Sequence, residues 1–328
     1  LEESLKQGMD NSMENKVLHY SVMPQEVMEL LGPAAESDSS LLIDCTLGEG
    51  GHSELFLRHF PNIQLVGLDR DNEIIKRAKE RLASFGNRVT ILNTWFDDFF
   101  SKPEMYESVG SPTCILFDLG ISIFHYEASG RGFSFNKDEP LDMRLNNEEG
   151  ITAEFVVNTY GKDQLADVIY QYGEERYSRR ISVAICKRRG TKAVKTSADL
   201  ADIIKGAVPR DYRYGRIHPA TRTFQALRIE VNGELDRIEQ TLDRAIDLLQ
   251  PGGRIAVISF HSLEDRRVKQ AFKRLAKGCV CPPEAPRCVC DGVPTVKLLH
   301  KKPFRATDGE IKINPASRSA KLRCVEKL

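Results

Sequence analysis

The stretch from Leu41 to Asp69 constrains the fold of this 328-residue chain more tightly than any other. An apolar run, Leu41-Leu42-Ile43, ends at Asp44 and breaks into the glycine-rich turn Cys45-Thr46-Leu47-Gly48-Glu49-Gly50-Gly51-His52-Ser53. Leu55, Phe56, His59 and Phe60 then recur at helical spacing, and a second apolar run, Ile63 to Leu68, ends at Asp69, 21 positions after Gly48. Strand, glycine turn, helix, strand and terminal acid form one half of a nucleotide-binding α/β fold. Glycines let the backbone approach a ligand closely, and the acid accepts hydrogen bonds from ribose hydroxyls. The turn reads G-x-G-G, with Ser53 where a dinucleotide fingerprint would carry its third glycine. A cofactor without a pyrophosphate, such as S-adenosylmethionine, needs the close approach and the ribose acid but no phosphate cradle. For the glycines alone, a purely structural strand-to-helix turn is the competing reading.

Charge and composition exclude little by themselves. Lys plus Arg and Asp plus Glu both number 47, so any nucleic-acid surface must come from uneven distribution. No run of about 18 apolar residues is present to span a membrane. Leu1 to Lys16 is polar and has no apolar signal core, which argues against secretion and predicts a disordered tail. The eight cysteines are therefore expected in a reducing cytoplasm, where disulfides are rare.

The α/β pattern continues beyond Asp69. Ile74, Ile75, Ala78, Leu82 and Phe85 predict a helix; Val89–Leu92 reads as a third strand and Cys114–Phe117 as a fourth, ending at Asp118. The next central strand is Arg254–Ser259, introduced by Pro251-Gly252-Gly253. It is preceded by an amphipathic helix carrying Leu235, Ile238, Leu242, Ile246 and Leu249, which Pro251 stops. Asp118 and Arg254 are 136 positions apart, whereas a βαβ crossover takes only about 30 residues. The surplus carries helical patterns (Leu165, Val168, Ile169 and Tyr172; Leu200, Ile203, Ile204 and Val208, ended by Pro209), so an inserted helical domain is expected. Thr295–Leu299 and Ala320–Val325 read as a closing antiparallel pair at the sheet edge.

Seven ordered segments are more specific than any one of them. They are His19-Tyr20-Ser21-Val22-Met23, the 44–53 turn, Leu116-Phe117-Asp118-Leu119-Gly120-Ile121-Ser122, and Gly130-Arg131-Gly132-Phe133-Ser134-Phe135 with Pro140-Leu141-Asp142-Met143-Arg144. Tyr172-Gly173-Glu174-Glu175-Arg176, His218-Pro219-Ala220-Thr221-Arg222-Thr223-Phe224-Gln225-Ala226 and Ser259-Phe260-His261-Ser262-Leu263-Glu264-Asp265-Arg266 complete the set. Over about residues 17–328 the chain closely resembles the MraW/RsmH-type methyltransferases, which methylate the N4 of a cytidine in bacterial small-subunit (16S) ribosomal RNA. The resemblance implies an α/β fold: a Rossmann-like class I methyltransferase sheet with an inserted α-helical domain. It divides the chain into a tail (1–16), a discontinuous methyltransferase domain (17–125 and 226–328) and a helical RNA-recognition domain (126–225). It also implies S-adenosylmethionine as cofactor, and ribosomal RNA or an assembled small subunit as partner.

Carried over by matching motifs, Gly50, Gly51 and His52 line the cofactor site, Asp69 holds the ribose, Phe96 packs against the adenine, and Asp118 faces the methionine or amine end. The family often reads Ser-Ser-Pro-Gln where this chain has Ser122-Ile123-Phe124-His125. His125 thus stands at the position of a cofactor-contacting glutamine, where imidazole replaces one amide hydrogen bond but not both. Asp118, Asp142 and His261 are the candidates for positioning the amine. Against these stand an Asp142–Arg144 ion pair and a helix-capping His261.

From Arg176 to Lys195 there are eight basic residues, among them Arg179, Arg180, Arg188 and Arg189, and no acidic one. Such a run is either a solvated helix face or a phosphate-binding patch. Arg210, Arg213, Arg216 and Arg222, interleaved with Tyr212 and Tyr214, extend it and offer rings for stacking on unpaired bases. Cys279-x-Cys281 and Cys288-x-Cys290 could surround a structural Zn²⁺, remain free thiols or form a disulfide. A DNA amino-methyltransferase would carry [DNS]-Pro-Pro-[YFW] where Asp118-Leu119-Gly120 stands. A nicotinamide oxidoreductase would need a truer phosphate loop, and a plain RNA-binding module would need neither glycine turn nor ribose acid.

Overall fold

The computed structural model describes residues 21–37, 39–279, 281, 287, 290 and 292–328. The polar tail 1–16, His19-Tyr20 and Cys288 lie outside the described residues. Among these residues, seven strands form one sheet: β1 (Leu41–Asp44), β2 (Gln64–Asp69), β3 (Val89–Asn93), β4 (Cys114–Asp118), β5 (Arg254–Ser259), β6 (Val296–Leu298) and β7 (Lys321–Lys327). Their spatial order is β3-β2-β1-β4-β5-β7-β6. The first five pair in parallel, and β7 runs antiparallel to both β5 and β6. The expected closing pair is thus present, but β7 inserts between β5 and β6, which the sequence alone did not indicate.

Side chains alternate across each strand, so the sheet divides its apolar residues between two layers. Ile43, Val66, Leu68, Ile115, Phe117, Ile255 and Val257 face one way, against helices Glu234–Leu248 and Ser262–Lys277. Leu42, Leu65, Leu116, Ala256, Ile258 and Leu322 face the other, against helices Pro24–Ala35, Gly51–His59 and Asn72–Leu82. Burial on both faces explains why β1, β4 and β5 are continuous apolar runs rather than alternating ones. Helix Pro24–Ala35 escaped the sequence reading; it begins with proline in its first turn, where the missing N–H costs no hydrogen bond.

Between β4 and β5 lies a third cluster with its own core, including Phe133, Leu141, Val156, Leu165, Ile169, Ile181, Ile185, Leu200, Ile204 and Phe224. It is built mainly on helices Ala153–Thr159, Lys162–Gly173, Ser178–Arg189, Ser197–Ala207 and Thr221–Asn232. The last of these is unbroken across the expected limit at 225/226. Phe224 and Leu227 serve the insert cluster, whereas Ile229 packs into the sheet layer. A boundary at 225 would cut a helix that belongs to both units.

The strand order reverses between β1 and β4, opening a crevice beyond their carboxyl ends, the usual ligand position in such sheets. Three acids stand there: Asp44, Asp69 and Asp118 end β1, β2 and β4.

Candidate active site

The glycine turn is held from both sides. Gly48 and Gly50 have φ of 54° and 80°, conformations in which a side chain would be strained. The Gly48 N–H donates to Asp69 Oδ2 at 2.9 Å, and the Asp118 N–H donates to Thr46 Oγ1 at 2.6 Å. Ser53, standing in place of a third glycine, donates its buried hydroxyl to Asp44 Oδ2 at 2.6 Å. Burial pushes the Asp44 carboxyl up to about 6 against that hydrogen bond. The departure from G-x-G-x-x-G is therefore a structural bond to the acid of β1. A Cβ on Gly51 would lie 2.3 Å from Ser21 Oγ, so the chain before helix Pro24–Ala35 closes over the turn and only glycine fits beneath it.

Asp69 accepts from the backbone N–H of Gly48 and of Asp71, both at 2.9 Å, and lines the crevice. Burial pushes its pKa up, opposed by these two bonds. Asp71 is almost inaccessible. It caps helix Asn72–Leu82 by accepting from the Glu73 N–H, and it receives Arg131 Nη1 at 2.7 Å and His125 Nε2 at 3.0 Å. Burial alone would raise its pKa, but the bonds from His125 and Arg131 hold it well below the usual carboxylate range. Asp69 is thereby tied, through its neighbour, to the first loop of the helical insert.

At the end of β4, Asp118 Oδ2 stands 3.6 Å from His52 Nε2. Asp118 Oδ1 and both ring nitrogens of His52 are buried without a hydrogen-bond partner among the described residues. Unpaired buried polar atoms are costly and signal a missing partner. Across the crevice, Phe96 meets Phe117 edge-on at 5.5 Å, and the Arg237 guanidinium lies 4.2 Å over the Trp95 ring while pairing with Asp97.

The far wall contains an ionic group that sequence reasoning missed. Arg228 is buried and donates to both oxygens of Glu234, at 2.9 and 2.8 Å, and to the Tyr126 hydroxyl at 3.0 Å. Burial disfavours its charge, but Glu234 more than compensates and raises its pKa. Glu264 reaches back to the N–H groups of Phe260 and His261, and both Glu234 and Glu264 line the crevice. The only sequence cue was the His-Ser-Leu-Glu capping pattern at 261–264.

Comparison with known proteins agrees with this geometry. The MraW methylase family model matches residues 16–328. The chain belongs to that family. The "Ribosomal RNA small subunit methyltransferase H" of Treponema denticola is 51% identical over 311 residues, covering 95% of this chain and 98% of that protein. Proteins of the same name from Syntrophotalea carbinolica and Symbiobacterium thermophilum are 47% and 45% identical, each over 94% of this chain and covering 98% and 96% of their own lengths. The chain is thus a methyltransferase with the Rossmann-like sheet its sequence resembled, and S-adenosylmethionine is the cofactor of this class. The crevice fits it: a turn where Gly51 admits no side chain, the carboxylate of Asp69 in the lining, and an Asp118 oxygen with no partner among the described residues.

The structure brings together Gly51, His52, Asp69, Phe96, Asp118 and His125 at the crevice wall. Gly50 is not part of this wall; a Cβ on it would point the other way, 3.1 Å from Leu82 Cδ1. His125 borders the crevice but has committed Nε2 to Asp71, leaving only Nδ1 unpaired. Asp142 is a correction: both its oxygens are engaged at 2.8 Å by Arg144, and it lies outside the lining. Asp142 follows the structural alternative. His261 caps helix Ser262–Lys277 in a reciprocal capping box with Glu264 and is outside the lining, while its buried Nε2 has no hydrogen-bond partner among the described residues.

The basic run also divides. Arg179 and Arg180 are exposed on helix Ser178–Arg189, and Arg176 lies over the rings of Tyr177 (4.8 Å) and Tyr212 (5.0 Å). Arg188 is paired with Asp199 at 3.1 Å, and Arg189 donates to the carbonyls of Val157 and Tyr160 at 2.8 and 2.7 Å. These last two hold the insert together instead of facing a ligand. Among the described residues no helix is long and apolar enough to cross a membrane.

Proposed function

We propose that this protein uses S-adenosylmethionine to methylate the exocyclic N4 amine of a cytidine in small-subunit ribosomal RNA. The observation that carries the reading is the end of β4, where a buried, unpaired Asp118 oxygen faces the same crevice as the ribose acid Asp69. The name of the relatives, ribosomal RNA small subunit methyltransferase H, supports the RNA target. In this reading Asp69 and the Gly48–Gly51 turn hold the ribose and methionine portions, and Phe96 packs against the adenine. When bound, the cofactor supplies an electrophilic methyl group.

The protein's part is geometric. The lone pair of a cytosine amine is delocalised into the ring, so attack requires turning it out of conjugation and holding it in line. Asp118 accepts one amine hydrogen, localises the lone pair, and takes the proton released once the amine is methylated. Leu119, Ile238 and Phe260 form the apolar wall beside it and exclude water. Positioning of this kind contributes about 7–11 kcal/mol. General-base assistance adds a factor of about 10²–10⁴, or about 2.7–5.5 kcal/mol. Geometry therefore outweighs proton transfer here.

The helical unit of about residues 126–225 serves as the RNA-docking element, with Arg176, Arg179 and Arg180 on the phosphates and the exposed Tyr214 available for stacking. Ribosomal RNA or an assembled small subunit is the partner, and the reading entails a cytoplasmic protein. A zinc ion at the cysteines of 279–290 would be structural under this reading, since none of the described cysteines there lines the crevice.

Nucleoside mass spectrometry of ribosomal RNA tests the proposal. A strain lacking the protein should lose an N4-methylated cytidine, and restoring the gene should return it. Changing Arg176, Arg179 and Arg180 together to Glu should abolish that methylation while S-adenosylmethionine affinity is retained. A methyl found on a ring carbon or ribose oxygen overturns the amine mechanism.

A further inference from the structure

Away from the crevice, the loop that follows helix Ser262–Lys277 gathers three half-buried cysteines. The sulfurs of Cys279, Cys281 and Cys290 all lie within 4.8 Å of one another, and those of Cys279 and Cys290 are 3.6 Å apart. A disulfide holds its sulfurs at about 2.05 Å, so no pair here has that spacing. Thiolates arranged tetrahedrally at about 2.3 Å from a zinc ion stand about 3.8 Å from one another. A packed pair of thiols could also reach such a distance. Convergence of a third sulfur, that of Cys281, on a pair already drawn from positions eleven residues apart is what a metal demands and packing does not.

The base of the loop is pinched shut. A Cβ on Gly278 would come within 2.2 Å of the Val293 carbonyl carbon, and one on Gly292 within 2.2 Å of the Gly278 oxygen. The two chain ends therefore touch where only glycine permits it, and the Thr295 N–H closes the neck by donating to the Leu275 carbonyl at 3.0 Å. The cysteines sit immediately inside this neck. Loop closure of this kind brings ligands distant in sequence into one cluster before any metal arrives.

We propose that Cys279, Cys281 and Cys290 bind a zinc ion as thiolates, as a structural site at the end of helix Ser262–Lys277. Each thiol releases its proton to solvent as its Zn–S bond forms, with no change of oxidation state. Zinc suits the site because thiolate ligands select soft or borderline ions over magnesium and calcium. The ion would lock the loop between that helix and β6. The inference is independent of the methyl-transfer reading, since a methyltransferase of this fold needs no metal.

The protein, purified without chelator under reducing conditions, should carry roughly one zinc per chain by elemental analysis. The double variant Cys279→Ser/Cys290→Ser should lose it. Should that variant fail to fold, cobalt exchanged into the wild-type protein gives a second reading. Intense visible bands and thiolate-to-cobalt charge transfer support the site; the weak spectrum of octahedral cobalt overturns it. The proposal also fails if the purified protein is metal-free and its thermal midpoint ignores both zinc and chelator. It fails equally if the double variant keeps its zinc, or if intact mass under native redox conditions reveals a disulfide among these cysteines.

Discussion

The crevice and the basic face of helix Ser178–Arg189 both depend on charge, yet they use it in opposite ways. In the crevice and directly behind it, the charged groups are buried or half-buried and each has its own fixed surroundings. Asp71 is held by Arg131 and His125, Asp69 by two backbone N–H groups, and Asp118 keeps an oxygen with no partner among the described residues. Low dielectric makes each such group count singly. On the basic face, Arg179 and Arg180 stand in solvent, where screening leaves little to any one of them and only the set matters. The distinction separates residues whose loss should be severe and specific from residues whose loss should be slight and additive.

The largest effect should come from Asp71, where the two regions are joined. Asp71→Asn leaves buried Arg131 without its counter-charge and His125 without its carboxylate partner, which should cost about 3–5 kcal/mol of stability in chemical denaturation. Because the Asp71 pKa is lower in the folded than in the unfolded chain, its contribution is complete above about pH 4 and is lost as pH falls further. A variant as stable as wild type near neutrality would show that the joint is not under electrostatic control.

Next in size is the ribose acid. Asp69→Ala should weaken S-adenosylmethionine binding by roughly ten- to a hundredfold, through loss of charged hydrogen bonds worth about 1.5–3 kcal/mol. Calorimetry decides it, with a denaturation curve to separate binding from damage to the glycine turn. Unchanged affinity, or tighter binding of a nicotinamide dinucleotide, removes the cofactor assignment.

A smaller effect, and of a different kind, is expected at His261. As a helix cap its replacement by Ala should lower stability by about 0.5–2 kcal/mol, while turnover of the folded fraction stays close to wild type. Asparagine, itself a good cap, should restore most of the stability. A collapse of turnover in a stable Asn variant would return His261 to the chemistry.

The smallest effect should sharpen the contrast most. Arg179→Ala alone should change RNA affinity by less than about 1 kcal/mol, yet reduce the slope of log affinity against log salt by about one unit. Arg189→Ala should do the reverse, lowering stability through two abandoned carbonyls and leaving that slope unchanged. Equal salt behaviour in the two variants would break the division of the basic run.

Much of this could be read along the chain. The strands β1, β4 and β5 announced themselves as unbroken apolar runs because a sheet covered on both faces has no solvent side to encode. The acids that end β1, β2 and β4 mark where the backbone leaves the core, and the excess chain between Asp118 and Arg254 required a second cluster. The partners of charged residues were hidden. Arg188 and Arg189 look the same as Arg179 and Arg180 in sequence, and only Asp199, Val157 and Tyr160, brought close by helix packing, separate them. Asp142 and His261 were similarly ambiguous until Arg144 and Glu264 were seen to occupy them.

Helix and strand periods, glycine turns and capping residues act over a few positions, so the order of residues already dictated the sheet, the crevice and the existence of an insert. Whether a carboxylate or guanidinium is left free for a ligand depends on which opposite charge lies within about 4 Å. For Asp71 that charge comes from Arg131, 60 positions away. No local rule reaches so far: burial sets the strength of such pairs, and burial exists only once the chain has folded.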